Sequence, residues 1–182
     1  MWTIKYVEEM VFVKNTVWGK KFFLMLTLVT ILILTVPLNT FADAGDVWIQ
    51  SSTENLNVNQ EFIVSLYSDT GTERLGAYQF SITFDPAMVN VDTTKGTEGV
   101  EAGGDGFLTA VNANNENGSL LVNGFDVNGK GPGIYLELLR IHFVALDKAG
   151  SEQISIRIDS LTDENGNKIG LPSAESASIT IR

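Results

Sequence analysis

The chain has 182 residues, a formal net charge of −10 and no cysteine. Without cysteine it has no disulfide bond, thiolate metal site or cysteine nucleophile. Its acidic charge repels phosphates and anionic lipid headgroups, which argues against nucleic acids and membrane surfaces as partners.

A short apolar run near the N-terminus predicts a secretory signal peptide. Residues 22–36 are apolar apart from threonines, two lysines precede them, and Pro37 ends the run. Ala42-Asp43-Ala44 then matches the small-residue pattern of a cleavage site. Because the run is shorter than the roughly 20 residues that cross a bilayer, a cleaved signal is favoured over a membrane anchor.

The signal divides the chain into two parts. Residues 1–44 are interpreted as an N-terminal extension and signal peptide, and residues 45–182 as one secreted domain. A domain of this length buries enough surface to fold without disulfide bonds. After cleavage the protein is expected to be extracellular, monomeric and free of the membrane.

Residues 76–86 show the pattern of a β-strand with one buried face. Apolar and polar side chains alternate from Tyr78 to Asp85, which is the period of a half-buried strand. Pro86 then ends the strand, because proline has no N–H group for the hydrogen-bonded ladder. The side chains predicted to face the core are Tyr78, Phe80, Ile82 and Phe84.

Similar short segments recur through the rest of the domain, which shows no convincing helical period. Asn117-Gly118 and Asn165-Gly166 are hairpin signals, and the second is interpreted as a type I′ turn. A glycine-rich stretch, residues 124–133, is interpreted as a connecting loop. About eight or nine strands with turn signals predict an all-β protein built as a single sandwich or barrel. The other predicted strands are residues 47–49, 62–67, 88–91, 107–113, 120–122, 135–146, 154–158 and 179–181.

Four segments resemble segments of cohesin domains in the same order. Residues 76–89 resemble the family's GxQFxxxYDPxxL segment. The others resemble its opening, its long strand and its late hairpin, and they are residues 58–64, 131–143 and 161–169. The resemblance covers residues 46–182. It implies a β-sandwich of about nine strands with jelly-roll topology, and a non-catalytic module that binds dockerin modules in extracellular polysaccharide degradation.

The resemblance also implies that a protein partner meets one face of a sheet. The outward residues of the strand at 76–86 are the first candidates, namely Gln79, Ser81 and Thr83. Four further polar residues join them if their strands are adjacent, namely Asn123, Asp126, Arg140 and His142. Polar groups on such a face supply specificity, and an apolar patch supplies affinity. The expected partner is therefore a dockerin-like protein module.

A carbohydrate-binding module of the same sandwich class, binding polysaccharide directly, is the alternative. It would stack aromatic rings on sugars, and the candidate rings are Trp48, Tyr67, Tyr78, Phe125 and Tyr135. Residues 45–182 contain one tryptophan, and alternation places Tyr78 with the core residues, so these rings are expected to fill the sandwich instead. A structural or adhesive spacer is a third interpretation.

No pattern in the sequence predicts an enzyme, a cofactor or a metal site. His142 is the single histidine, and nothing in the sequence positions a nucleophile beside it. Residues 126–137 nearly match a calcium loop, but Lys130 stands where the loop needs an oxygen ligand. Residues 163–167 carry their glycine at the wrong position for such a loop. The prediction is a non-catalytic protein with no cofactor and no metal.

Overall fold

The structure, a computed structural model, describes residues 44–182, so the apolar run of the predicted signal peptide lies outside the described residues. Every regular element in residues 44–182 is a β-strand. This part of the chain therefore contains no helix long and apolar enough to cross a membrane. The prediction of an all-β domain is confirmed, whereas the domain boundary after Ala44 stays a prediction.

Residues 44–182 form twelve β-strands. In chain order the strands are β1 (Val47–Ser51), β2 (Asn55–Leu56), β3 (Glu61–Ser68), β4 (Leu75–Thr83), β5 (Val89–Val91), β6 (Val100–Ala102), β7 (Ala110–Asn114), β8 (Ser119–Lys130), β9 (Leu136–Ala145), β10 (Gly150–Asp163), β11 (Ala174–Glu175) and β12 (Ala177–Ile181).

The strands form two six-stranded sheets. In sheet A the order is β11-β1-β3-β9-β5, and β6 also pairs with β9. In sheet B the order is β2-β12-β10-β4-β8-β7. β4 pairs antiparallel with β10 on one side and with β8 on the other. The strand predicted from residues 76–86 is therefore interior to sheet B, and both of its neighbours come later in the chain.

The two sheets enclose one hydrophobic core. Phe80 projects into it from β4 in sheet B, and Phe62 and Phe143 project into it from β3 and β9 in sheet A. Phe143 stacks on Phe62 with ring centroids 5.5 Å apart and meets Phe84 edge-on at 5.3 Å. Ring contacts therefore join the sheets. All four side chains predicted to face the core from residues 76–86 are buried, which confirms that prediction.

Each of the nine predicted strands overlaps an observed strand. The sequence prediction lacks β2, β6 and β11, because two or three residues are too few to show alternation. The interpretation of residues 124–133 as a loop is wrong for residues 124–130, which belong to β8, whereas residues 131–133 do lie between strands. β8 continues to Lys130, which pairs with Leu75 of β4. Glycine lowers strand propensity, but here pairing with β4 overrides that preference.

The turn at residues 163–166 differs from the type I′ turn expected there. A type I′ turn requires positive φ at both central residues. In this turn Gly166 has φ of 83°, whereas neither Glu164 nor Asn165 has a positive φ. The Asp163 carboxylate holds the turn together by accepting the backbone N–H groups of Asn165 at 2.9 Å and Asn167 at 2.7 Å.

A β-bulge in β9 changes which of its side chains face outward. Leu66 of β3 pairs with Leu139, but the next residue, Tyr67, pairs with Glu137. Leu138 is therefore an extra residue, and it is buried together with Leu139. Past the bulge the alternation is shifted by one residue. Glu137 faces outward as a result, although strict alternation from Leu139 would turn it into the core.

Candidate partner-binding face

The outer face of sheet B carries the first three predicted site residues. Gln79, Ser81 and Thr83 project outward from β4 between buried core residues. On β8, Asn123 lies opposite Gln79, and Leu121 lies opposite Ser81. We call this surface the sheet B face and define it by Gln79, Ser81, Thr83, Asn112, Leu121, Asn123, Phe125, Arg157 and Asp159.

A second β-bulge brings a carboxylate to this face. On β10, Ile158 pairs with Phe80, but Ser160 pairs with Gln79, so Asp159 is the extra residue between them. Bulges of this kind redirect side chains and are frequent beside functional sites. Here the redirected carboxylate lies next to the outward residues of β4.

A polar cluster occupies the middle of the sheet B face. Arg157 Nε donates to Asp159 Oδ1 at 2.8 Å, and the Arg157 guanidinium also donates to Ser81 Oγ at 3.2 Å. Ser81 Oγ in turn donates to Asp159 Oδ2. Burial raises the pKa of Asp159, but hydrogen bonds from Ser81 and Arg157 outweigh burial and hold that pKa below its ordinary value. Asp159 is therefore ionised at neutral pH and is fixed beside its guanidinium partner.

The face is concave beside this cluster. A depression of about 470 Å³ lies among the outward side chains of four adjacent strands. Its lining includes Thr83 on β4, Asn112 on β7, Leu121 on β8 and Arg157 on β10. Hydroxyl, amide and guanidinium groups thus lie beside the outward-facing Leu121. The depression can receive a side chain from a partner and offer it both apolar contact and hydrogen bonds.

Apolar side chains extend the face along β8. Phe125 is 61% exposed and Val127 is 71% exposed. Phe125 lies on the same side of β8 as Leu121, opposite Ala77 of β4, whereas Val127 follows where the register between β8 and β4 shifts. Exposed apolar side chains of this size are frequent on interaction surfaces.

Tyr78 and Gly124 support the face from the core side. The Tyr78 ring stacks on Phe107 at 5.0 Å, and its hydroxyl donates to the Phe107 carbonyl oxygen. Gly124 lies opposite Tyr78 in β8, and a Cβ at Gly124 would lie only 2.3 Å from the Tyr78 ring. Burial raises the pKa of Tyr78, so its hydroxyl stays protonated and continues to donate. The glycine therefore leaves room for a ring that fixes the position of β8.

Two of the other predicted site residues lie on β8. Asn123 is on the sheet B face beside Gln79, as the prediction requires. Asp126 follows Phe125 directly and stands where the register between β8 and β4 shifts. Its carboxylate accepts the backbone N–H of Asn128 at 2.8 Å. Asp126 therefore shapes the irregular end of β8, and its contact with a partner stays a prediction.

Arg140 and His142 lie on the opposite side of the sandwich. Both are on β9 of sheet A, which pairs with β3, β5 and β6. β9 does not neighbour β4, so the condition under which Arg140 and His142 would join the sheet B face is not met. Arg140 donates to Glu137 Oε1 at 2.9 Å, and His142 Nε2 lies 3.4 Å from Glu101 Oε1.

Several residues of the sheet B face are absent from the sequence-based prediction. They are Asn112, Leu121, Phe125, Arg157 and Asp159. Alternation already sets Arg157 and Asp159 apart from the isoleucines of β10. Alternation does not show that β10 lies beside β4. Without the order of the strands, Arg157 and Asp159 cannot be placed on the sheet B face.

The aromatic candidates divide into three groups. Tyr78 is buried in the core, as expected. Phe125 is exposed on the sheet B face, whereas Trp48, Tyr67 and Tyr135 lie on the outer side of sheet A. The expectation that these rings fill the sandwich is therefore wrong for every candidate except Tyr78.

The arrangement of strands matches solved cohesin domains. A type I cohesin from Clostridium thermocellum, solved in complex with a dockerin, aligns with a TM-score of 0.61 and 12% sequence identity. The alignment covers 79% of this chain and 96% of the cohesin. The chain has the cohesin fold.

Other cohesins align to a similar extent. A type II cohesin from Acetivibrio cellulolyticus has a TM-score of 0.57 and 18% identity, covering 75% of this chain and 95% of its own. A non-cellulosomal cohesin from the archaeon Archaeoglobus fulgidus has a TM-score of 0.59 and 15% identity, covering 75% and 91%. No protein-family model and no curated protein matches the chain. The cohesin resemblance read from the sequence is confirmed at the level of the fold.

Proposed function

We propose that this chain is a non-catalytic binding module that recognises a dockerin-type protein module through the sheet B face. One observation carries the proposal: a fixed polar cluster and exposed apolar side chains lie together on this face. Ser81, Arg157 and Asp159 form the cluster, and Phe125 with Leu121 forms the apolar part. The dockerin bound to the Clostridium thermocellum cohesin supports this class of partner.

The physical roles on this face follow from exposure and hydrogen bonding. Leu121 and Phe125 supply apolar surface that is removed from water on binding. Such desolvated contacts contribute most of the binding energy of protein interfaces. Gln79 and Asn123 lie side by side and offer amide donors and acceptors to a partner's backbone. Asp159 accepts hydrogen bonds from both Ser81 and Arg157, so its carboxylate is already oriented before a partner binds.

The biological setting is also part of the proposal. The signal pattern in residues 1–44 supports secretion, and an acidic surface keeps an exported module soluble. The cellulosomal origin of the Acetivibrio cellulolyticus cohesin supports a link to extracellular polysaccharide degradation. We infer a monomeric module whose biochemical role is attachment. The alternative function is direct binding of polysaccharide. The aromatic rings on the outer side of sheet A, Trp48, Tyr67 and Tyr135, favour it.

Replacing Gln79 by arginine is expected to weaken dockerin binding about tenfold or more. A longer, charged side chain would displace Asn123 and add a second cation near Arg157. Isothermal titration of the full chain against a panel of type I and type II dockerin modules measures the change.

Gln50→Arg is the matched control, because it makes the same substitution on the outer side of sheet A. It is expected to leave dockerin affinity unchanged. Equal weakening by both variants would contradict the placement of the interface, and no binding by any dockerin in the panel would overturn the proposed function.

A further inference from the structure

Three aromatic rings cluster on the outer side of sheet A, away from the sheet B face. Trp48 of β1 lies opposite Tyr67 of β3, and their rings stack with centroids 5.9 Å apart. Tyr135 precedes β9 and packs against both, 5.3 Å from Trp48 and 4.5 Å from Tyr67. Trp48 and Tyr67 are half-buried, whereas Tyr135 is 56% exposed. The cluster therefore presents ring surface to solvent.

The bulge in β9 creates this arrangement. With strict alternation from Arg140, Leu138 and Leu136 would face outward and Glu137 would face the core. With the bulge, both leucines are buried and Glu137 lies opposite Tyr67 on the outer side. The extra residue thus places the Glu137 carboxylate on the same outer surface as the chain segment that leads to Tyr135.

A row of hydrogen-bonding side chains runs beside the rings. Gln50, Ser65 and Arg140 are register partners on successive strands, two residues along from the stacked pair. Arg140 Nε and Ser65 Oγ both donate to Glu137 Oε1, at 2.9 Å and 3.3 Å. The Tyr135 hydroxyl donates to Gln50 Oε1 at 3.3 Å. These contacts hold planar amide, carboxylate and guanidinium groups at the edge of the cluster.

We propose that this ring cluster and its polar row bind one sugar unit of a neutral polysaccharide. A pyranose ring has an apolar face of C–H groups that packs on an aromatic ring and an edge of hydroxyl groups that needs hydrogen-bond partners. Tyr135 supplies the exposed ring, and Gln50, Glu137 and Arg140 supply donors and acceptors beside it. Planar side chains of this kind can bind two neighbouring hydroxyl groups at once.

The size and charge of the site favour a sugar over other ligands. Only Tyr135 of the three rings is largely exposed, whereas a stable protein partner covers about 800 Å² on each side. Glu137 pairs with Arg140, and Glu101 lies opposite Arg140 on β6, so the site carries no excess positive charge. The net charge of −10 opposes the approach of an anionic polysaccharide. A neutral sugar chain fits the small exposed ring surface, needs no positive charge at the site and is not repelled by the acidic chain.

The position of Trp48 allows a direct test. The chain has three tryptophans, and replacing Trp2 and Trp18 by phenylalanine leaves Trp48 as the only indole, inside the proposed site. The full chain with these two changes is titrated with cellohexaose, xylohexaose and mannohexaose while tryptophan emission is recorded. We expect at least one of them to change the emission saturably.

Variants in the same background separate ring stacking from other effects. Tyr135→Ala is expected to weaken sugar binding about tenfold or more, whereas Tyr135→Phe keeps the ring and retains most of the affinity. Phe125→Ala removes a comparably exposed ring from sheet B and is expected to leave sugar binding unchanged. Dockerin binding by Tyr135→Ala is expected to equal that of the unsubstituted chain, so the two proposals can fail separately.

Two results would overturn the proposal. One is the absence of a saturable change with all three oligosaccharides. The other is binding that Tyr135→Ala leaves intact, since the sugar would then sit elsewhere. With the expected results, the module could hold a polysaccharide on sheet A and a protein partner on sheet B at the same time.

Discussion

Alanine in place of Phe143 is expected to lower the free energy of unfolding by about 3–5 kcal/mol, because it removes a fully buried aromatic ring. Phe143 has no exposed surface, stacks on Phe62 at 5.5 Å and meets Phe84 at 5.3 Å. Both sheets therefore lose contacts, and the remaining rings cannot fill the space without leaving their own positions. Urea denaturation followed by circular dichroism measures the loss.

Phe125→Ala is the control for this prediction. It deletes the same side chain from a site that is 61% exposed, so the free energy of unfolding is expected to change by no more than about 0.5 kcal/mol. Similar losses in the two variants would contradict the assignment of Phe143 to the core and Phe125 to the surface.

Gly124→Ala is expected to cost about 1–3 kcal/mol, because the added methyl group overpacks the core side of β8. Its Cβ would lie 2.3 Å from the Tyr78 ring and 2.6 Å from the Phe107 carbonyl oxygen. The ring must move, and the hydrogen bond from its hydroxyl to Phe107 is then lost. Urea denaturation measures the cost.

Gly104→Ala provides the matched comparison. A Cβ at Gly104 meets nothing within 4 Å, and the backbone there does not have a positive φ. This variant is expected to have nearly the stability of the unsubstituted chain. If Gly124→Ala were no less stable than Gly104→Ala, the close packing of Tyr78 against β8 would be contradicted.

Local alternation was enough to predict the fold class and the buried side of β4. Tyr78, Phe80 and Ile82 follow the period of a half-buried strand, and the structure buries all three. The hairpin at Asn117-Gly118 was predictable for a similar reason, because its signal is local to the turn. It joins β7 to β8.

The composition of the candidate site was less predictable, because it depends on strand order. Arg157 and Asp159 reach Gln79 and Ser81 only because β10 pairs with β4, although the strands are far apart in the chain. Arg140 looks equally suitable in the sequence, yet β9 belongs to the other sheet. Side-chain alternation within a strand carries no information about which strand lies beside it.

The bulges at Leu138 in β9 and Asp159 in β10 could not be predicted from the sequence either. Leu138 and Asp159 break the alternation of β9 and β10, and each redirects a carboxylate to an outer surface. A regular strand would have placed Glu137 toward the core. Both proposed binding surfaces thus depend on one extra residue in a long strand, a feature that a strictly alternating pattern does not predict.

Chemical-shift mapping tests the central claim most directly, namely that the sheet B face binds a dockerin-type module. Backbone amide signals of the full chain are recorded with and without the tightest-binding dockerin of the panel. The expected result is a set of shifts concentrated on β4, β7, β8 and β10, around Gln79, Leu121 and Arg157. Shifts concentrated instead on β1, β3 and β9, around Tyr67 and Arg140, would contradict the claim.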